Sequence, residues 1–223
     1  MSPLVLSLVI ACASALIGMP PAIALGWVLA RRTFRGKTLL SALVLAPLVL
    51  PPVVTGLLLL RLLGRRGAFG PVLEGIGVSV PFTTLGAVIA ALVVGLPLYV
   101  IAARTAFEGV DPRLEEVAST LGASPLRVLT RITLPLAWPG LLAGAVLAFA
   151  RALGEFGATA VLAGDVPGET RTIALAVYAA LEAPRGEPDA LRLSLLSVGL
   201  SVLALVFHEL LLARHVRRAG RRA

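Results

Sequence analysis

The sequence predicts an all-α membrane protein with about five transmembrane helices. Three observations carry that expectation. First, 58% of the 223 residues are apolar and only 14% are charged, against roughly 25% charged in a soluble globular domain. One water-soluble core of this size cannot bury so many apolar side chains, which argues against a soluble enzyme. Second, the apolar residues fall in five runs nearly free of charge, matching the ~20 residues that cross a bilayer as a helix. Third, the formal charge of +8 is spread unevenly along the chain. A basic excess by itself also fits nucleic acid; joined to this composition, it makes the lipid bilayer the expected partner and nucleic acid not one.

The first expected span, 3–30, carries no charged side chain. It lacks a basic start and is longer than the apolar core of a signal peptide, about 7–15 residues, so it reads as a lasting span. Pro20 and Pro21 should kink it. The second span, 38–60, is interrupted by Pro47, Pro51 and Pro52. Such breaks are tolerated where neighbouring helices or a cavity satisfy the freed backbone groups, so this run is either kinked for packing or a moving helix that lines a path. A Gly-rich connection follows at 62–79, then a third span at 80–103. The fourth, 136–163, contains Arg151 and Glu155. Residues 170–183 are apolar but too few to cross, and fit a short external helix, interfacial or re-entrant. The fifth span, 192–212, reaches its end if Glu209 sits at the interface. Cys12 stands alone in an apolar stretch, so it has no disulfide partner in the chain and is expected to be buried and inert. His208 and His215 lack the spacing of metal ligands, and neither metal nor cofactor is expected.

The basic residues orient this arrangement. Arg31, Arg32, Arg35 and Lys37 follow the first span; Arg104, Arg113, Arg127 and Arg131 separate the third and fourth; Arg214, Arg217, Arg218, Arg221 and Arg222 follow the fifth. Those thirteen fall on one side, against Arg61, Arg65, Arg66, Arg171, Arg185 and Arg192 on the other. The positive-inside bias then expects the N-terminus outside and the C-terminus in the cytoplasm. Five spans require termini on opposite sides, so count and charge agree.

The loop 111–135, between the third and fourth spans, has explicit helix punctuation. Asp111 suits a helix N-cap and Pro112 the first turn, with Glu115 and Glu116 near the positive end of the helix dipole. Leu114, Val117, Ala118 and Leu121 share one apolar face at i, i+3, i+4, i+7, and Gly122 suits the C-terminal position. Ser124 and Pro125 restart a second short helix by the same rule, Arg127 and Arg131 share one of its faces, and Pro135 is expected to stop it. Such an ordered loop is either a linker lying on the membrane or a docking element for a cytoplasmic partner.

Glu116-Val117-Ala118, Gly122 six residues after the glutamate, and Ile132-Thr133-Leu134-Pro135 resemble the E-A-A-x(3)-G-x(9)-I-x-L-P loop of importer-type ABC permeases. One landmark departs: Val117 stands where that family usually has alanine. Residues 134–159, 46–67 and 167–178 resemble the molybdate permease branch, and sulfate permeases share its G-E-F-G-A element. The resemblance implies an importer-type permease fold in the cell membrane, with a cytoplasmic coupling helix seated in a groove of an ATPase subunit. The docking residues would be Leu114, Glu115, Glu116, Val117, Ala118, Leu121, Gly122, Ala123 and Pro125. It further implies a homodimer, two ABC ATPase subunits and an extracytoplasmic molybdate-binding protein, the cargo being molybdate or tungstate. A sulfate or thiosulfate permease is the nearest alternative, and a self-sufficient channel or secondary transporter a more distant one. A membrane-bound enzyme lacks a nucleophile–base pair or metal cluster. No G-x-x-x-x-G-K-[ST] phosphate loop is present, so a separate ATPase is expected and the chain is not read as an enzyme.

A tetrahedral oxyanion needs hydroxyls, backbone N–H groups or a balanced cation. Thr55, Thr83, Thr84 and Thr159 offer hydroxyls, although a helical threonine often bonds its own backbone instead. Arg151 and Glu155, four residues apart at membrane depth, are either a structural ion pair or part of the anion path. Gly140 and Gly144 permit close helix contact, within one subunit or across a dimer. Gly154 and Gly157 should weaken the helix around Glu155 and Phe156.

Overall fold

The structure, a computed structural model, describes residues 1–219, with the backbone alone for residues 211–219. Arg221 and Arg222, counted above for orientation, lie outside the described residues. Every regular element among the described residues is helical.

Helix α1 (Pro3–Arg31) starts at Ser2, whose hydroxyl accepts the Val5 N–H, and continues past Pro20 and Pro21 without a break. Helix α5 (Thr84–Glu108) runs parallel to it. Leu6 and Ile10 cluster with Ala87, Val88 and Ala91 at one end, while Ile23, Trp27 and Ala30 pack on Ala103 and Phe107 at the other. Helix α8 (Leu134–Leu153) is antiparallel to both, because Ala137 and Leu141 join the Phe107 cluster and Ala152 and Leu153 join the Leu6 cluster. The two glycines at i, i+4 set this contact. A Cβ on Gly140 would lie 2.7 Å from Ala106 Cβ, and one on Gly144 2.8 Å from Ala102 Cβ. The G-x-x-x-G pair therefore brings α8 against α5 inside one subunit.

Between parallel helices the chain must cross back once, and α2 (Lys37–Val49) with α3 (Pro52–Leu63) does so. Leu40 and Val44 pack on the Leu29–Val100 cluster, and Leu59, Leu60 and Leu63 on Val80 and Leu162 at the far end. The expected span 38–60 is thus not one helix: the pair bends by 114° at Leu50-Pro51. Two consecutive prolines supply no N–H and clash with the preceding turn, and Leu50 takes the extended conformation that a following proline imposes.

Helix α11 (Glu187–Ala219) returns toward the end reached by α1, where His208 lines the same cavity as Asp111 and Leu114. Among the described residues four helices are long and apolar enough to cross a membrane, and the bent pair makes five if it counts as one span. The Met1 ammonium donates to the Gly168 carbonyl at the opposite end, 3.0 Å away. The two ends of the bundle are called here the coupling end, with 111–135, and the far end.

Three other expectations change. The connection 62–79 contains a short helix, α4 (Gly70–Gly75), beside an Arg65–Glu74 ion pair of 3.0 Å. The fourth run is broken: α8 ends at Leu153 and a separate α9 (Gly157–Leu162) follows. Cys12 is exposed, not buried. The buried stripe of α1 runs through Leu6, Ile10, Ala11, Ser14, Ala15 and Gly18, whereas Val5, Val9, Cys12 and Leu16 share the outward stripe at helical spacing. The short helix expected at 170–183 is α10 (Ile173–Glu182), capped by Thr172 and tied to α1 by the Ile173 N–H donating to Ser7 Oγ at 2.8 Å.

Candidate functional site

At the coupling end, 111–135 folds as α6 (Pro112–Thr120), α7 (Pro125–Val128) and a π-helical turn, Leu129–Thr133. Asp111 Oδ1 accepts the Arg113 N–H at 2.9 Å. Gly122 has φ +83°, with nothing within 4 Å of a would-be Cβ, so the backbone conformation alone demands glycine. The Ala123 N–H reaches the Ala118 carbonyl and the Gly122 N–H the Ser119 carbonyl, each at 3.0 Å, which closes the helix as a Schellman motif. Two expectations fail. Ser124 makes no side-chain cap bond. Pro135 does not stop the second helix, because 125–153 is continuous through the π turn. In that turn the Leu134 N–H bonds back to Leu129, and the wider ring skips the position that the missing proline N–H would have filled.

The expected apolar face of α6 is open. Leu114, Val117 and Leu121 are 48%, 58% and 83% exposed, Ala118 and Ala123 are half-buried, and Pro125 is exposed. The two glutamates part company. Glu116 is exposed. Glu115 Oε1 accepts the Thr133 hydroxyl at 2.7 Å and pairs with Arg31 Nη2 at 3.1 Å. Arg31 also donates to the Val110 carbonyl at 2.7 Å. Sequence reasoning counted Arg31 only as an orienting charge. Its sole signal was indirect: adjacent helical residues point about 100° apart, so Glu115 and Glu116 cannot both face a partner.

Toward the far end, two helix breaks lie against each other. A Cβ on Gly56 would meet the Ala158 carbonyl oxygen at 2.7 Å, and one on Gly157 the Val53 nitrogen at 3.1 Å, so α3 and α9 touch backbone to backbone. Glu155 sits in the break, buried, with Oε2 2.9 Å from Arg151 Nη1 and Oε1 accepting the Ala158 N–H at 2.9 Å. The carboxylate thus joins the end of α8 to the start of α9, and it satisfies the arginine that a bare site would leave free. Thr159 is buried one residue beyond Ala158; Thr55 is buried and its Oγ1 has no partner among the described residues. Arg151, Glu155, Thr159 and Thr55 are therefore gathered around the two breaks. Thr83 and Thr84 are spent otherwise. Thr83 caps α5, accepting from Gly86 and donating to Val80, and Thr84 donates to the Glu169 carbonyl at 2.7 Å. Phe156, in the break, stacks at a tilt on Tyr178 of α10, with ring centroids 5.3 Å apart. Glu182 raises the pKa of the Tyr178 hydroxyl through a hydrogen bond and its negative charge.

Residues 22–221 match the family described as binding-protein-dependent transport system inner membrane component. The chain belongs to that family. Within it, the chain is 48% identical over 217 residues to the molybdenum transport system permease protein ModB of Escherichia coli K12, covering 97% of this chain and 95% of that one. The counterpart from Haemophilus influenzae is 47% identical over 96% of this chain and 94% of its own. A putative molybdenum permease of Bacillus subtilis is 41% identical, with 81% and 80% covered. Among solved structures, a chain of the inward-facing MetNI methionine ABC transporter superposes with a TM-score of 0.72 at 17% identity, covering 94% of this chain and 93% of that one. A bacterial alginate ABC transporter gives 0.71 at 20% identity, covering 92% and 75%. The fold is accordingly that of an ABC importer permease.

Proposed function

We propose that this chain is the transmembrane subunit of an ATP-driven importer of molybdate or tungstate, working by alternating access. The observation that carries the reading is the near-full-length likeness to molybdenum permeases. The open apolar face of α6 supports it, because a face of that kind at one end of an apolar bundle needs a partner to cover it. In this reading two copies enclose the path, an ATPase subunit docks on each α6, and a loaded binding protein engages the far end. The chain hydrolyses no ATP itself. The basic residues gathered around the coupling end support a cytoplasmic placement of that end, with the N-terminus outside.

The two helix breaks are the proposed station along the path. The Thr55 hydroxyl has no partner among the described residues to give up, and Glu155 cancels much of the Arg151 charge. A dianion meeting weak neutral donors enters and leaves readily, whereas an unpaired arginine would hold it. ATP binding draws the docking helices together and opens the path outward; hydrolysis resets it. The test is ATP hydrolysis by the assembled complex in lipid with each loaded binding protein in turn. Stimulation by the molybdate-loaded protein is expected. Stimulation only by a sulfate-loaded protein would move the cargo to sulfate.

A further inference from the structure

Three elements of the bundle converge on one carboxylate at the coupling end. Arg31, the last residue of α1, reaches both Val110, where α5 turns into the docking loop, and Glu115, on the docking helix itself. Thr133, the last residue of the π turn that feeds α8, donates to the same Glu115 oxygen and is 1% exposed. Helix α6 buries none of its own residues. Packing therefore holds it only weakly, and these polar contacts tie it to the crossing helices.

We propose that Glu115, held by Arg31 and Thr133, is the positioning residue that carries movement of the docking helix into α1 and α8, while Glu116 faces the ATPase; this rests on the importer reading. The Arg31 and Glu115 side chains are 15% and 24% exposed, so water and salt weaken their attraction less than that of an open surface pair such as Arg104–Glu108. Arg31 Nε is buried with no acceptor among the described residues, which leaves the guanidinium a donor for a second arrangement. The π turn gives the other half of the device. Its wider ring is a local departure from the helix ladder of a kind frequent at functional sites, and Glu115 accepts from its final residue.

The experiment is a double-mutant cycle on the full complex in proteoliposomes, with its ATPase and a molybdate-loaded binding protein. The readout is molybdate imported per ATP hydrolysed. Arg31→Met and Glu115→Ala are each expected to lower that ratio about tenfold, the scale of coupling between residues in direct contact, and the double variant to be no worse than either. Misfolded chains contribute to neither uptake nor coupled hydrolysis, and Arg31→Lys and Glu115→Gln keep the shape and part of the bonding. Both milder variants should retain more of the ratio than their harsher counterparts. Unchanged ratios, or losses that multiply in the double variant, would overturn the clamp. A wild-type complex that hydrolyses ATP and moves no molybdate would instead overturn the importer reading.

Discussion

Two Arg–Glu pairs do different work in this molecule. Arg151 and Glu155 are four residues apart, and their bridge of 2.9 Å closes within one stretch of chain. Arg31 and Glu115 come from different elements, and their bridge of 3.1 Å ties the end of α1 to α6. The first pair stiffens a break, since Glu155 also caps α9 through Ala158. The second joins two elements far apart in the chain, the end of α1 and α6. A short-range pair fixes local shape, whereas the long-range pair is the one proposed to transmit displacement, and the sequence advertises only the first.

That contrast makes predictions of decreasing size. Glu155→Ala leaves Arg151 without its partner and the Ala158 N–H without an acceptor. Removing one member of a buried pair costs about 3 kcal/mol or more. The permease should lose thermal stability in detergent by far more than any change at the coupling end causes, as followed by a tryptophan-fluorescence melt. Replacing both residues with apolar ones of similar volume should recover most of that loss; no recovery would mean that the pair does more than hold the break. Gly122→Val comes next. It forces a branched side chain into a left-handed conformation that costs about 1–2 kcal/mol, at a position with free space around it. The bundle should melt as before, while ATPase binding weakens roughly tenfold, the factor that 1.4 kcal/mol is worth. Asp111→Ala is the mildest. It removes one N-cap bond, about 1 kcal/mol, and should show as faster hydrogen exchange in α6 with exchange at the 154–158 break unchanged.

The same contrast explains how much was legible beforehand. The docking helix obeys local rules: Asp111 at one end, Gly122 at the other, apolar residues at helical spacing between them. The structure reproduces each of those features. The crossings were legible because charge-free runs of sufficient length have few alternatives in a bilayer. The bend at Pro51-Pro52 was half legible. The prolines predict an interruption, but neither its 114° angle nor the close approach of α3 and α9 at Gly56 and Gly157. Pro135 misled because a widened turn absorbs it, and no spacing rule announces a π turn. Cys12 misled because apolar surroundings in sequence do not say which face meets the bundle. The candidate threonines divide for a related reason. Thr83 finds the nearby Val80 carbonyl and Thr84 the distant Glu169 carbonyl, whereas Thr55 finds none among the described residues.

The central claim, that this permease carries molybdate when energised through α6, is met most directly by one measurement: uptake of labelled molybdate into proteoliposomes that hold the permease, its ATPase partner and a loaded binding protein. The account predicts accumulation that requires ATP, persists against excess sulfate and falls in the Gly122→Val variant. ATP-independent equilibration, or accumulation abolished by sulfate, would contradict it.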